Sequence, residues 1–129
     1  MALHPEKSWF GVVLECADAS ELAHFYRRLL GWELFADAPD WATVAPSATG
    51  GLNLAFNGDP GYARPVWPRV DGEQQMQLHL DFQVEDLDEA VDHALACGAT
   101  LASFQPQDDV RVLLDPAGHP FCVYLDSED

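Results

Sequence analysis

Val12-Val13-Leu14-Glu15-Cys16-Ala17-Asp18-Ala19-Ser20-Glu21-Leu22-Ala23 reads as an alternating strand running into a capped helix, and so does Leu80-Asp81-Phe82-Gln83-Val84-Glu85-Asp86-Leu87-Asp88-Glu89-Ala90-Val91. Asp18 and Asp86 stand 68 positions apart (86 − 18), as do Glu21 and Glu89 (89 − 21). In each copy an Asp takes the N-cap position and a Glu follows three residues later, the capping-box pattern. Each helix then closes on a glycine, Gly31 or Gly98, the residue that most easily takes the left-handed conformation at a helix end. A repeat of this period predicts two like modules packed into one protein. At one matched position the copies differ in chemical content: the first has Gly11 and the second has His79.

Outward from these stretches, residues 8–17 place Phe10, Val12, Leu14 and Cys16 on one face and Gly11, Val13, Glu15 and Ala17 on the other, a strand with one packed face. Leu22, Phe25, Leu29 and Leu30 form the apolar stripe of the first helix. Residues 32–35, 41–44 and 52–56 read as three further strands, with Gly50-Gly51 as a hairpin turn. In the second copy Leu78, Leu80, Phe82 and Val84 alternate with Gln77, His79, Asp81 and Gln83. Strands are expected over residues 100–104, 110–114 and 121–125, with Asp115-Pro116-Ala117-Gly118 as the turn between the last two. The expected fold is α+β: one domain over 1–129 built of two βαβββ modules in tandem, residues 8–57 and 77–126, whose curved mixed sheets surround a central cleft. Residues 58–76 form the linker, where Gly58, Gly61, Gly72, Pro60, Pro65 and Pro68 oppose regular structure.

Composition narrows the partners. The chain has 129 residues, 48% of them apolar, enough for one core. Its 22 acidic against 6 basic residues give a net charge of −16, which repels nucleic acid and anionic membrane surfaces alike. Three scattered cysteines, with no C-x-x-C pair, fit a reducing compartment, and neither a long apolar run nor a signal-like start is present. A cytoplasmic location is expected.

Three motifs carry a family resemblance: Phe25-Tyr26-x-x-Leu29-Leu30-Gly31-Trp32, His79-Leu80-Asp81-Phe82-x-Val84-x-Asp86, and Asp115-Pro116-Ala117-Gly118-His119-Pro120-Phe121. Together they resemble the vicinal oxygen chelate superfamily of glyoxalases, bleomycin-resistance proteins and extradiol dioxygenases. Trp67-Pro68 followed by Gln77-x-His79-Leu80-Asp81 is most similar to its glyoxalase-like domain branch. The resemblance implies a divalent metal held by the first and last strands of the modules. Here those positions hold Gly11, His79 and Cys122, and the strand over 52–57 offers neither acid nor histidine. Two donors fall short of the three that a catalytic metal needs, so neither a metal nor another cofactor is expected.

His79 and Asp81 are then expected as the polar anchors of a small organic ligand, with Cys122 beside them and Trp41, Tyr62 and Trp67 supplying flat aromatic surface. Tyr62 and Trp67 would fold over the cleft as a partial lid. Cys122, set between Phe121 and Val123, has the surroundings of a small buried hydrophobe as well as those of a ligand contact. His4, His24, His93 and His119 are expected as solvated bystanders. The favoured reading is a small-molecule-binding protein with a degenerate metal site, taking an aromatic or planar ligand and forming a homodimer. The alternatives are a lyase or isomerase using His79 as base or residual metal ligand, and a regulatory domain without a small ligand.

Overall fold

The computed structural model describes residues 1–126. After a short 3-10 turn at Pro5–Lys7, the elements are β1 (Phe10–Cys16), α1 (Ala19–Leu30), β2 (Glu33–Asp37), β3 (Trp41–Ala45), β4 (Leu52–Gly58), β5 (Leu80–Gln83), α2 (Leu87–Cys97), β6 (Thr100–Leu101), β7 (Val110–Leu114) and β8 (Pro120–Tyr124). The architecture is α+β with two βαβββ modules in tandem. They form two compact units, Met1–Tyr62 and the chain from Ala63 onward.

In the first unit the strand order is β1-β4-β3-β2, with β1 parallel to β4 and the other pairs antiparallel. Asp18 is extended and its side chain accepts the Glu21 N–H at 3.2 Å, which starts α1; Gly31, at φ 70, ends it. Alternation then sends Leu14, Cys16, Ala42, Val44, Leu54 and Phe56 to the buried face of the sheet. Leu22, Phe25 and Tyr26 of α1 are buried with them, Tyr26 stacked on Phe56 at 5.6 Å between ring centroids. β2 runs further than the pattern predicts, to Asp37, with a bulge between Leu34 and Asp37. The extension is held from outside the ladder: Thr43 Oγ1 accepts the Ala36 N–H, and Asp37 accepts from Ser20 and bonds His24.

The second unit repeats the plan with order β5-β8-β7-β6, the β5–β8 pair being parallel. Asp86 accepts the Glu89 N–H at 3.1 Å and Gly98, at φ 120, closes α2. Two strands are shorter than expected. β5 begins at Leu80, not upstream of His79, and Leu78 is exposed where packing is predicted. The ladder stops where β8 begins, at Pro120, which has no N–H to donate. β6 ends at Leu101 because Gln105 takes over the pairing. Its Nε2 donates to the Ala102 and Val112 carbonyls, both at 2.9 Å, and its Oε1 accepts the Val112 N–H. Within the turn before β8, Asp115 is the buried acid, its Oδ1 accepting the N–H groups of Ala117 and His119. The linker is irregular and carries a cis Trp67–Pro68 peptide. Arg64 ties it to the same turn through a 2.8 Å bond from Nη1 to the Pro116 carbonyl, lying where a side chain on Gly118 would be.

Candidate functional site

The parallel register of β5 and β8 sets Asp81 opposite Cys122. Side chains alternate along both strands, so Phe121 and Val123 turn to the buried face while Asp81, Cys122 and Tyr124 share the other. His79 directly precedes β5, and its Nε2 lies 3.2 Å from Asp81 Oδ1. One ligating atom each from His79, Asp81 and Cys122 lies within 4.8 Å of the others. These three open onto a hollow of about 350 Å³ whose rim includes Gln107, Asp109 and Tyr124. The whole lining comes from the second unit.

The electrostatics of the trio follow from Asp81. Its carboxylate bonds the His79 ring and also accepts from the Cys122 thiol. Burial chiefly, then the Asp81 charge and that hydrogen bond, push the Cys122 thiol up to about 11. At neutral pH Cys122 is therefore a neutral donor and a poor nucleophile. When Asp81 holds Nε2 as the protonated ring nitrogen, Nδ1 is left as an acceptor or base for a ligand. Both His79 and Asp81 are substantially exposed, so a ligand can reach them without any strand moving.

The sequence count of metal donors was two, His79 and Cys122. The structure adds Asp81, giving one nitrogen, one oxygen and one sulfur donor. Three protein ligands of those types with an open position suit a cation of the zinc kind. Binding it would require the Cys122 proton to leave and Asp81 to give up its present partners. In the first unit the positions matching His79, Asp81 and Cys122 hold Gly11, Val13 and Ala55, none of which can ligate through a side chain.

The remaining candidates are placed elsewhere. Trp41 lies on β3 opposite Asn57, half exposed in the first unit. Tyr62 ends that unit, partly buried. Trp67 is partly buried in the second unit with its ring 5.9 Å from that of Phe104. Gln107, Asp109 and Tyr124 line the hollow without having been foreseen. Tyr124 was recoverable, being two residues beyond Cys122 on one strand, whereas Gln107 and Asp109 sit in a loop with no pattern to betray them. Of the histidines expected as bystanders, His24 instead pairs with Asp37 at 2.9 Å, and His93 lies 3.8 Å from Cys97 Sγ.

Compared with known proteins, residues 11–124 match the family model described as glyoxalase-like domain. No curated protein matches the chain. Among solved structures it is similar to a glyoxalase/bleomycin resistance protein/dioxygenase family enzyme from Burkholderia phytofirmans PsJN, with 21% identity, 89% of this chain and 95% of that one covered, and a TM-score of 0.63. It is likewise similar to a glyoxalase/dioxygenase from Nostoc punctiforme, with 18% identity, 99% and 97% covered, and a TM-score of 0.64. A glyoxalase family protein from Enterococcus faecalis gives 21% identity, 92% and 97% covered, and a TM-score of 0.62. At these identities the likeness is one of fold.

Proposed function

The chain belongs to the glyoxalase-like domain family, and from that membership we propose that it binds a small organic molecule on the open sheet face of the second unit, with His79 and Asp81 as polar anchors. The observation that carries this reading is the hydrogen-bonded His79–Asp81–Cys122 cluster at the edge of a hollow large enough for a small ligand. Asp81 fixes the imidazole, Cys122 stays neutral beside it, and Tyr124 offers a ring for a planar ligand to rest on. The net charge of −16 argues for a small molecule over a nucleic acid. Three scattered cysteines with no C-x-x-C pair support the proposal of a reducing, cytoplasmic setting. Among the described residues no helix is long and apolar enough to cross a membrane. A homodimer belongs to the same proposal.

One observation favours a second reading. The three donors within 4.8 Å would let His79, Asp81 and Cys122 hold a divalent cation, making the protein a lyase or isomerase of the glyoxalase type. The cation would act as a Lewis acid on a bound oxygen; without a cation, His79 would serve as base. Native mass spectrometry and elemental analysis of gently purified protein separate the two readings. An organic adduct that disappears in His79→Ala and Asp81→Asn supports the first. A near-equimolar metal, lost in both variants, supports the second. A wild-type protein that carries neither, and shows no saturable binding in a fragment screen read at His79 and Asp81, overturns both.

A further inference from the structure

We infer that the first unit carries a site for a neutral, single-ring aromatic molecule with an amide-like edge, anchored by the side-chain amide of Asn53. A hollow of about 260 Å³ is lined there by Trp9, Phe35, Thr43, Ala45, Ala48 and Asn53. Pockets for drug-sized ligands begin at about 300 Å³, so this one suits a single ring. Trp9 and Phe35 are each about half exposed, at 50% and 49%, leaving their rings available for stacking.

Gly11 explains where the amide lies. In the parallel ladder Gly11 stands opposite Asn53, and a Cβ on Gly11 would run into Asn53 Oδ1. The Asn53 amide thus occupies the space left by a missing side chain, at the position where the second module carries His79. The side-chain amide takes no partner among the described residues, so both its donor and its acceptor are open to a ligand. Thr43 Oγ1 already accepts the Ala36 N–H, which leaves its own proton to donate.

The ligand class follows from this chemistry. An amide both donates and accepts, so its best complement is another such edge: a primary amide, a lactam or an imide. The lining holds no cation to offset a carboxylate, and the −16 net charge repels anions. It holds no carboxylate to capture an amine either. Every residue of this lining belongs to the first unit, and the inference does not rest on the His79 cluster.

The test is titration of 15N-labelled full-length protein with benzamide, benzoate and benzylamine, followed by NMR. Benzamide should give saturable shifts centred on the Trp9 indole N–H, Phe35 and the Asn53 side-chain NH2, with the two charged probes at least tenfold weaker. Asn53→Leu should weaken benzamide at least fivefold. Gly11→Ala should do the same, because its Cβ evicts the amide. Should Gly11→Ala fail to fold, Asn53→Leu decides alone. Equal affinity for the three probes, scattered non-saturable shifts, or undiminished binding in Asn53→Leu overturns the inference. So do concentration-dependent shifts at Trp9 and Phe35 without a probe, which would assign the hollow to a second copy of the chain.

Discussion

Single residues set the chemistry of the His79 cluster. With the Cys122 thiol pushed up to about 11, site-resolved alkylation by iodoacetamide at pH 8 should be slow and should rise only as pH approaches that value. Asp81 supplies two of the three causes, so Asp81→Asn should move the rise to lower pH, read by peptide mapping of Cys122 modification. An unchanged profile would mean that burial alone protects the thiol. Asp37 behaves in the opposite sense. Its carboxyl is lowered by hydrogen bonds from Ser20 and His24, so the folded state favours the charged form. That contribution is fully present above the ordinary value of 3.8 and fades as pH falls below it. Asp37→Asn should therefore lower the melting temperature at neutral pH and make progressively less difference in acid. A deficit that stays constant with pH would assign its role to packing.

At the scale of elements, both helices depend on one capping carboxylate each. Asp86→Ala removes the acceptor of the Glu89 N–H and should cost about 1 kcal/mol in denaturant unfolding. Asp86→Ser should recover most of it, and no difference between the two variants would deny the cap its role. β6 is short because Gln105 pairs with the β7 backbone in its place. Gln105→Leu keeps bulk but strands the Val112 N–H, so a loss of about 1–3 kcal/mol is expected. Trp67 and Phe104 form a ring pair within the second unit. A double-mutant cycle between them should show a coupling of about 0.5–1.5 kcal/mol, whereas a coupling near zero would free Trp67 for the lid role that its linker position suggests.

For the whole molecule, the two units use one plan with different faces. The helix-side faces are apolar in both, more deeply buried in the first unit, while the opposite faces diverge: Gly11, Val13 and Ala55 in one, His79, Asp81 and Cys122 in the other. Repetition secures the fold twice while the residues on the opposite faces differ. Each sheet also ends in edge strands, which favours association. Light scattering at micromolar concentration should return about twice the 14.2 kDa chain mass; a clean monomer would refute the dimer.

Sequence by itself determined the repeat, the caps and the helices, because capping and alternation are local and recur at a fixed period. Asp18, Gly31, Asp86 and Gly98 act where they stand, and no distant contact is needed to read them. It also singled out His79, by its contrast with Gly11. What only tertiary structure decided is which side chains meet. Asp81 reads in sequence as a neighbour of His79; that it also faces Cys122, raising the thiol and completing three donors, depends on a strand register between residues 41 positions apart (122 − 81). Asn53 had no signal at all, since its place over Gly11 exists only once β1 and β4 pair. Strand ends were misjudged for the same reason: Pro120 and Gln105 end ladders through partners that alternation along a single strand cannot name.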